Sequence, residues 1–206
     1  MTDGKVVLDI TMSLDGFIAG PNDEPGNGLG DGGERLHEWV YELAAWREPH
    51  GLSGGKTNRD SEIMDESVKR TGAIIVGKRM FNNAEGWGDT PPFHKPVFVL
   101  THEVRDKEEK DGGTTFIFVN DGVESALNQA RAAAGDKDVG LSGGAETAQQ
   151  FMKAGLLDEL QIHIAPLVLG GGVRLFDQVG LDDMALELTE VIESPVVAHL
   201  RYRVLK

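Results

Sequence analysis

The sequence of 206 residues contains no cysteine. Disulfides, thiolate metal sites and cysteine nucleophiles are therefore excluded, and this composition fits a reducing compartment such as the cytoplasm. Long apolar runs are also missing, and the short polar N-terminus has no apolar signal region. We therefore expect a cytoplasmic protein without a membrane span.

Basic residues are scarce, because 20 lysines and arginines stand against 34 acidic residues and leave a net charge of −14. This charge repels nucleic-acid phosphates and anionic lipid, so we expect neither nucleic acid nor a membrane as a partner. The six histidines show no HxH or HxxxH spacing, and we expect no metal site. An anionic ligand would need a local cluster of positive groups.

Strand and helix patterns alternate through the middle of the chain, as a largely parallel sheet requires. Apolar and β-branched runs predict strands at 5–13, 73–76, 96–101, 115–119, 138–141 and 157–169, and a closing antiparallel hairpin over 185–205. Helical spacing predicts helices at 34–46, 60–70, 78–83 and 122–134, and another after Gly144. In the last strand, apolar residues alternate with His199, Arg201 and Arg203, which predicts a sheet with one buried face. We predict one α/β domain over 1–206, with a mostly parallel sheet and antiparallel C-terminal strands.

Two strand-to-helix junctions contain glycine, at 75–79 (IVGKR) and 141–145 (LSGGA). Glycine lets the backbone approach a ligand closely, and the free N–H groups of the following helix favour an anion. Neither junction matches a Walker loop or GxGxxG, so a plain turn is the better explanation of each junction by itself. Together they suit a dinucleotide, with a pyrophosphate at one junction and the 2′-phosphate of NADPH beside Lys78 and Arg79.

The sequence resembles the dihydrofolate reductase superfamily, and within it the branch that contains the reductase domain of bacterial riboflavin biosynthesis. The resemblance rests on the order and spacing of MSLDGFIAG (12–20), IIVGKRMF (74–81), PVFVLTH (96–102), LSGGAETAQQF (141–151) and LDELQIHIAPLVLGGGVRLFD (157–177). It implies a dihydrofolate reductase-like three-layer α/β/α fold, a homodimer, and an NADPH-dependent reductase that acts on a small pyrimidine- or pterin-like heterocycle. The substrate it suggests is the riboflavin precursor 5-amino-6-(5-phosphoribosylamino)uracil.

The resemblance also implies which residues hold NADPH. Those at the pyrophosphate are Ser142, Gly143, Gly144, Ala145, Glu146 and Thr147. Those at the adenosine end and its 2′-phosphate are Gly77, Lys78, Arg79, Thr101 and His102. Ile18 and Ala19 match loop positions along the nicotinamide, whereas Met80 replaces a hydroxyl residue that often contacts phosphate in dihydrofolate reductases.

A catalytic acid is harder to assign. If Trp39 aligns with the tryptophan of the first helix in dihydrofolate reductases, the position of their carboxylate is held by Leu36, which argues against a folate substrate. In the riboflavin branch the SLDG aspartate lies at the substrate site, so Asp15 is the candidate for orienting substrate or supplying a proton, with bound water as the other source. An Asp-Gly turn would explain Asp15 equally well. Trp87 is a candidate wall of the substrate pocket, with plain packing as the alternative.

Two other functions stay open. A true dihydrofolate reductase would need an acid at Glu34 or Glu38, both of which we expect to be solvated. A nucleotide-binding module without turnover would account for the missing carboxylate. Gly170–Gly172 fits either a bulge or a close approach to substrate, and we expect a structural role.

Overall fold

The computed structural model describes residues 4–177, 180 and 184–206. The strands of its main sheet are β1 (Val6–Ser13), β3 (Thr71–Gly77), β4 (Pro96–Leu100), β5 (Glu108–Glu109), β6 (Thr115–Val119), β7 (Asp138–Gly143), β8 (Glu159–Ala165), β10 (Ala185–Glu193) and β11 (Ala198–Leu205). Within the described residues they lie in the order β10-β11-β8-β1-β7-β3-β4-β6-β5. Two short strands, β2 (Phe17–Ala19) and β9 (Val173–Arg174), pair separately.

The pairings in the middle of the sheet, from β8 through β1, β7, β3 and β4 to β6, are parallel. The C-terminal strands β11 and β10 continue the sheet in the antiparallel sense. The predicted sheet is therefore confirmed. An antiparallel strand at the opposite edge, β5, was not predicted.

Helices cover both faces of the sheet. They are α1 (Glu38–Tyr41), α2 (Ala44–Arg47), α3 (Arg59–Arg70), α4 (Lys78–Asn83), α5 (Val123–Ala134) and α6 (Ala145–Lys153). On one face, α5 and α6 pack Leu127 and Phe151 against Leu8 and Leu141, and each such buried side chain stabilises the fold by about 1.5–3 kcal/mol. On the other face, Phe81 of α4 packs on the central strands. No helix among the described residues has the length and apolar character needed to cross a bilayer.

The helix predicted over 34–46 is wrong. The segment forms a 3-10 turn at Gly33–Leu36, then α1 and α2. Leu43 has an extended backbone between the two helices. There the Ala44 N–H donates to the Lys56 carbonyl at 3.0 Å, and the Lys56 N–H donates to the Glu42 carbonyl at 2.6 Å. A neighbouring loop takes the hydrogen bonds that a continuous helix would use.

Two predictions about the C-terminal strands also need correction. The strand predicted over 157–169 ends at Ala165, because Pro166 has no N–H to donate to a strand ladder. The alternation in β11 predicts one buried face, yet His199, on the other face, is 0% exposed. Its imidazole contacts Asp60 of α3, so helices cover the side of β11 that the pattern leaves to solvent.

Candidate active site

The predicted cofactor residues and Asp15 follow or lie at the carboxyl-terminal ends of β1, β3, β4 and β7. The chain places β1, builds outward through β3, β4 and β6, and then returns to insert β7 between β1 and β3. Such a change of direction leaves a crevice at the carboxyl edge of a sheet, where α/β proteins bind ligands. The topology therefore supplies a reason for the site to lie at this edge.

The two glycine junctions meet in space. A Cβ on Gly77 would lie 2.3 Å from Thr147 Oγ1 and 3.6 Å from the Gly144 backbone nitrogen. The turn after β3 thus packs directly on the start of α6, where Thr147 is buried. Gly77 is required by this close approach, which a larger residue would prevent.

The second junction opens onto free space. Gly143 has a φ of 109°, a region that favours glycine, and the peptide bond to Gly144 is cis. No atom lies within 4 Å of a Cβ built on Gly144, and no side chain caps the start of α6. Backbone N–H groups at an uncapped helix start beside open space are what a pyrophosphate needs.

The other predicted residues of this junction differ in exposure. Ala145 is buried, Ser142 is half-buried and Glu146 is exposed. The carboxylate of Glu146 lies in the first turn of α6. At that position its negative charge interacts favourably with the positive end of the helix dipole, as the charge of a bound anion would.

Both cations assigned to the 2′-phosphate are paired with carboxylates. Arg79 donates to Asp23 from Nε at 2.9 Å and from Nη2 at 2.6 Å. Lys78 pairs with Glu103, and its hydrogen bond lowers the pKa of that carboxyl. The Arg79 side chain is 62% exposed, whereas that of Asp23 is 11% exposed. A phosphate at this end would compete with these carboxylates.

Thr101 and His102 follow β4 next to Lys78. Thr101 is buried; its N–H donates to the Val119 carbonyl at 3.0 Å, and its hydroxyl oxygen accepts the Glu103 N–H at 3.1 Å. His102 is exposed. Thr101 thus holds the turn that carries Glu103 toward Lys78.

Asp15 ties two loops together. Its carboxylate accepts hydrogen bonds from the Ser13 hydroxyl at 2.6 Å, the Leu169 N–H at 3.1 Å and the Gly170 N–H at 2.8 Å. The Ser13 hydrogen bond and those from the two backbone N–H groups lower the pKa of Asp15 to about 2. Asp15 is therefore ionised near neutral pH and holds no proton to donate in this state. Its role in orienting substrate stays a prediction.

The predicted nicotinamide residues lie on β2. Ile18 and Ala19 are both largely buried, at 9% and 8% exposure. A Cβ on Gly172 would lie 2.1 Å from the Ala19 carbonyl oxygen, so the last glycine of the run after β8 is needed for close packing on β2. This agrees with the structural role expected for Gly170–Gly172.

Trp87 lies in an aromatic cluster rather than at the cavity described below. Its ring centroid lies 4.8 Å from that of Phe93 and 6.1 Å from that of Phe116, with Phe81 at 6.4 Å. These contacts support the packing alternative, because neighbouring aromatic rings hold Trp87 on the core of the α4 side. Its place in a substrate pocket stays a prediction.

A cavity of about 590 Å³ lies at the carboxyl end of β8. Its walls come from Arg35, Glu38, Trp39, Glu42, Leu43, Lys56, Asn58, Asp60, Ala165, Pro166, Leu167, Pro195 and Val196. The Leu14 N–H donates to the Leu167 carbonyl at 2.9 Å, which joins this wall to the loop of Asp15. The volume is in the range of small-molecule sites. Glu38, expected to be a solvated surface residue, is exposed and lines this cavity.

Beneath Trp39, four side chains form a hydrogen-bonded chain that sequence reasoning missed. His163 Nε2 lies 2.9 Å from Asp9 Oδ1, the two histidine Nδ1 atoms lie 2.6 Å apart, and His199 Nε2 lies 2.9 Å from Asp60 Oδ1. The only signal in the sequence was that polar residues occupy alternate positions of strands that lie far apart along the chain. The pattern of one strand does not indicate which other strand it pairs with. We refer to these residues as the Asp-His-His-Asp chain.

Local structure fixes this chain in place. Asn58 caps α3 by accepting the Ser61 N–H at 3.0 Å, which holds Asp60 in the first turn. The register of the sheet places His163 opposite His199. Side chains of residues opposite each other in an antiparallel pair lie on the same face, so the two imidazoles meet.

A family model described as the RibD C-terminal domain matches residues 4–200. The chain is 26% identical over 185 residues to the uncharacterized protein YyaP of Bacillus subtilis, covering 85% of this chain and 81% of that protein. It is 37% identical over 121 residues to the riboflavin biosynthesis protein RibD of Mycobacterium tuberculosis. That match covers 59% of this chain and 29% of RibD.

Two solved structures share the fold along nearly their whole length. One is a riboflavin biosynthesis protein from Shewanella sp. PV-4, with a TM-score of 0.68 and 19% identity over 98% of this chain and 99% of that one. The other is the dihydrofolate reductase of Enterococcus faecalis complexed with NADP(H), with a TM-score of 0.57 and 12% identity over 99% and 98%. The fold is dihydrofolate reductase-like, as the resemblance implies.

Proposed function

Because the chain belongs to the RibD C-terminal domain family, we propose that it is an NADPH-dependent reductase of the riboflavin-pathway kind. Its substrate is a small pyrimidine- or pterin-like heterocycle. The observation that carries this proposal is the meeting of the two glycine junctions, where Gly77 packs on Thr147 and Gly144 borders open space. The M. tuberculosis and E. faecalis relatives, by their names, are a riboflavin biosynthesis protein and an NADP(H)-bound reductase.

The residues present fit the cofactor at its pyrophosphate. The backbone from Ser142 to Thr147 would hold this group, since the helix start is uncapped and space is open beside Gly144. Lys78 and Arg79 would hold the 2′-phosphate in exchange for Glu103 and Asp23. NADPH, when bound, supplies a hydride to an electrophilic carbon of the substrate.

Side chains of the protein itself orient the substrate and shield it from water. Asp15 fixes the first loop on the turn after β8, which orients both walls of the crevice. The cavity beside Trp39 is large enough to hold a heterocycle away from water. If Trp39 aligns with the tryptophan of the first helix in dihydrofolate reductases, Leu36 holds the position of their carboxylate, and its apolar side chain is 0% exposed. This favours a substrate other than folate.

NADPH titration tests the proposal first. Protein added to NADPH should change the cofactor's fluorescence saturably, with a Kd in the micromolar range. No change at high micromolar protein would rule out both the reductase and a binding module without turnover. If NADPH binds but no heterocycle tested oxidises it, the function that remains is a nucleotide-binding module without turnover.

Turnover then separates the substrates. We expect NADPH oxidation with 5-amino-6-(5-phosphoribosylamino)uracil and none above background with dihydrofolate. Dihydrofolate turnover abolished by Glu34→Gln or Glu38→Gln would instead establish a dihydrofolate reductase. Glu62→Gln, on the exposed side of α3, is the matched control for these changes.

The proposal includes a homodimer, one functional domain over 1–206 and a cytoplasmic location with its supply of reduced cofactor. The edge strand β10 supports self-association, because Leu186, Leu188 and Val191 are 41%, 53% and 59% exposed on a strand that, within the described residues, pairs only with β11. Light scattering during gel filtration measures the mass directly. A monomer at micromolar concentration would contradict this part.

A further inference from the structure

The Asp-His-His-Asp chain links partly exposed protein surface to the cavity. Asp9 is 26% exposed, His163 is 7% exposed, and His199 and Asp60 are 0% and 1% exposed. Asp60 also lines the cavity, as does Trp39. The Trp39 ring covers both imidazoles, with centroid distances of 5.0 Å and 5.4 Å. One end of the chain therefore meets solvent and the other end meets the cavity.

The geometry fixes the number of protons on the chain. Each Nε2 faces a carboxylate oxygen at 2.9 Å, so each imidazole donates a hydrogen from that atom. The two Nδ1 atoms lie 2.6 Å apart, which requires one further hydrogen between them. Two neutral imidazoles carry one hydrogen each, so three hydrogens make the pair a cation. The chain holds one proton more than two neutral histidines would.

The surroundings place that proton at the His163 end. Burial raises the pKa of Asp9, but the His163 and Ser67 hydrogen bonds outweigh this effect and hold it below its ordinary value. Burial lowers the pKa of His199 despite its bond to Asp60. An ionised Asp9 beside a cationic His163, and a neutral His199 beside Asp60, satisfy every contact.

Other charged groups around the chain come from each neighbouring element. Arg70 of α3 lowers the pKa of Asp9. On β11, Arg201 donates to Gln161, which in turn donates to Asp9 at 3.0 Å. Before α1, burial lowers the pKa of His37, although Glu34 opposes it. The donors and the cation around Asp9 keep that carboxylate ionised, and its negative charge attracts the extra proton toward the imidazole beside it, that of His163.

A metal ion does not explain the arrangement. Nitrogen ligands of one zinc ion each lie about 2.0–2.1 Å from the metal, so two of them cannot approach as closely as these Nδ1 atoms do. Within the described residues, no group of three or more histidine and acidic side chains is placed to hold a metal. Hydrogen bonding is the interaction that fits the distances.

We propose that Asp9, His163, His199 and Asp60 form a proton relay that carries a proton from solvent at Asp9 to substrate at the cavity end, Asp60. This step rests on the proposed reductase function. Reduction of a C=N or C=O bond adds a hydride, supplied by the bound nicotinamide, to carbon and a proton to nitrogen or oxygen. In delivery, the shared hydrogen moves to His199 Nδ1, and Asp60 takes the His199 Nε2 hydrogen and passes it to that heteroatom. Both imidazoles then change tautomer, which returns their hydrogens to His163 Nδ1 and His199 Nε2. His163 Nε2 is then free to take a proton that water supplies through Asp9.

Nitrogen NMR of the histidine side chains tests the proton count without cofactor or substrate. In wild-type protein labelled with 15N-histidine, we expect one cationic and one neutral imidazole in the chain at pH 7, with a strongly deshielded hydrogen between their Nδ1 atoms. His199→Asn assigns the signals, and His50→Asn, at an exposed histidine, is the control. Two neutral imidazoles with one N–H each at pH 7 would overturn the proposal.

Kinetics test delivery. Asp60→Asn keeps an acceptor for His199 but cannot carry a proton, so kcat should fall about 100-fold with NADPH affinity unchanged. The wild-type fall in kcat at high pH should disappear in this variant. Asp65→Asn, on the same helix at an exposed ion pair, should stay within about twofold of wild type. An unaltered pH profile in Asp60→Asn, with lower stability alone, would show a structural role and overturn delivery.

The two proposals fail differently. Protein that binds and oxidises NADPH but shows two neutral imidazoles retains its reductase function and loses the relay. Protein that shows the extra proton but binds no NADPH loses the reductase function, and delivery to substrate fails with it.

Discussion

The glycine junctions follow β3 and β7, on one side of β1 in the sheet, whereas the Asp-His-His-Asp chain uses β1 itself and the strands on its other side, β8 and β11. The two regions are built differently. The junctions consist of backbone and exposed ion pairs, with open space beside Gly144. The chain consists of side chains that are mostly buried and bonded to one another. Exposed pairs add little to stability, whereas a buried polar network is costly to break. Substitutions at the glycine junctions should therefore change mainly ligand affinity, and substitutions in the Asp-His-His-Asp chain should change mainly the stability of the fold.

The largest effect is expected at His199. His199→Ala removes the imidazole partner of Asp60 and leaves a carboxylate that is 1% exposed with the Asn58 amide as its side-chain donor at 3.2 Å. We expect the free energy of unfolding to fall by about 3–5 kcal/mol, because a buried charge loses its compensation. Urea unfolding measures the change. Lys78→Ala breaks an exposed pair at the other region and should cost at most about 1 kcal/mol. Equal losses would erase the distinction between the two regions.

The next effect is on binding at the glycine junction. Gly144→Ala adds a methyl group to open space at a φ of −69°, which any residue adopts, so stability should hardly change. The same methyl group would occupy the space assigned to pyrophosphate and weaken NADPH binding about 100-fold, the upper range of overpacking costs. Gly171→Ala, outside this junction, is the control. Unchanged NADPH affinity in Gly144→Ala would place the pyrophosphate elsewhere.

Asp15 belongs to neither region, because it ties the loop after β1 to the turn after β8, and its effect is intermediate. Asp15→Asn cannot accept all three hydrogen bonds, so turnover should fall about 10-fold with NADPH affinity intact. Equal loss of turnover and affinity would indicate a purely structural turn.

The same substitution also changes the acid stability of the fold. The pKa of Asp15 is about 2 in the folded protein against 3.8 ordinarily, so its stabilisation is present above the higher value and lost as pH falls toward the lower. As the pH is lowered from 3.8 toward 2, the thermal unfolding midpoint should therefore fall less in Asp15→Asn than in wild type. Asp89→Asn, at an exposed loop carboxylate, should behave like wild type.

The sequence predicted the junctions because glycine, strand end and helix start are adjacent along the chain. It predicted the parallel centre of the sheet for the same reason, from apolar runs that need no distant partner. The break at Leu43 was missed because its hydrogen bonds go to Lys56, in a separate loop. Helical spacing in 34–46 carries no information about that loop.

The Asp-His-His-Asp chain was missed for a related reason. Its residues come from β1, α3, β8 and β11, and each looks like the polar position of an alternating strand or the start of a helix. Only the sheet order, which puts β8 between β1 and β11, brings them together. Strand order depends on packing between distant segments, so period-two patterns reveal faces but not neighbours.

The smallest effect concerns the choice between NADPH and NADH. Arg79 is exposed and already bonded to Asp23. Binding of a 2′-phosphate therefore replaces one anionic partner of Arg79 by another, and the net gain in binding free energy is only the difference between the two interactions. Arg79→Gln should weaken NADPH binding about 5-fold and leave NADH binding unchanged, since exposed ion pairs contribute little. Neutralising Lys78 should act in the same direction. Arg59→Gln removes a comparable exposed pair on α3 and should change neither affinity.

Asp23→Asn distinguishes competition from support. Without the carboxylate, Arg79 is free to meet the phosphate, so NADPH should bind more tightly while NADH is unaffected. Weaker NADPH binding in Asp23→Asn would mean that Asp23 holds Arg79 in position for the ligand. Fluorescence titration of both cofactors against Arg79→Gln, Arg59→Gln and Asp23→Asn measures these differences directly. Equal effects on both cofactors in Arg79→Gln would remove the 2′-phosphate from this end, and the exposed pairs would then belong to the surface alone.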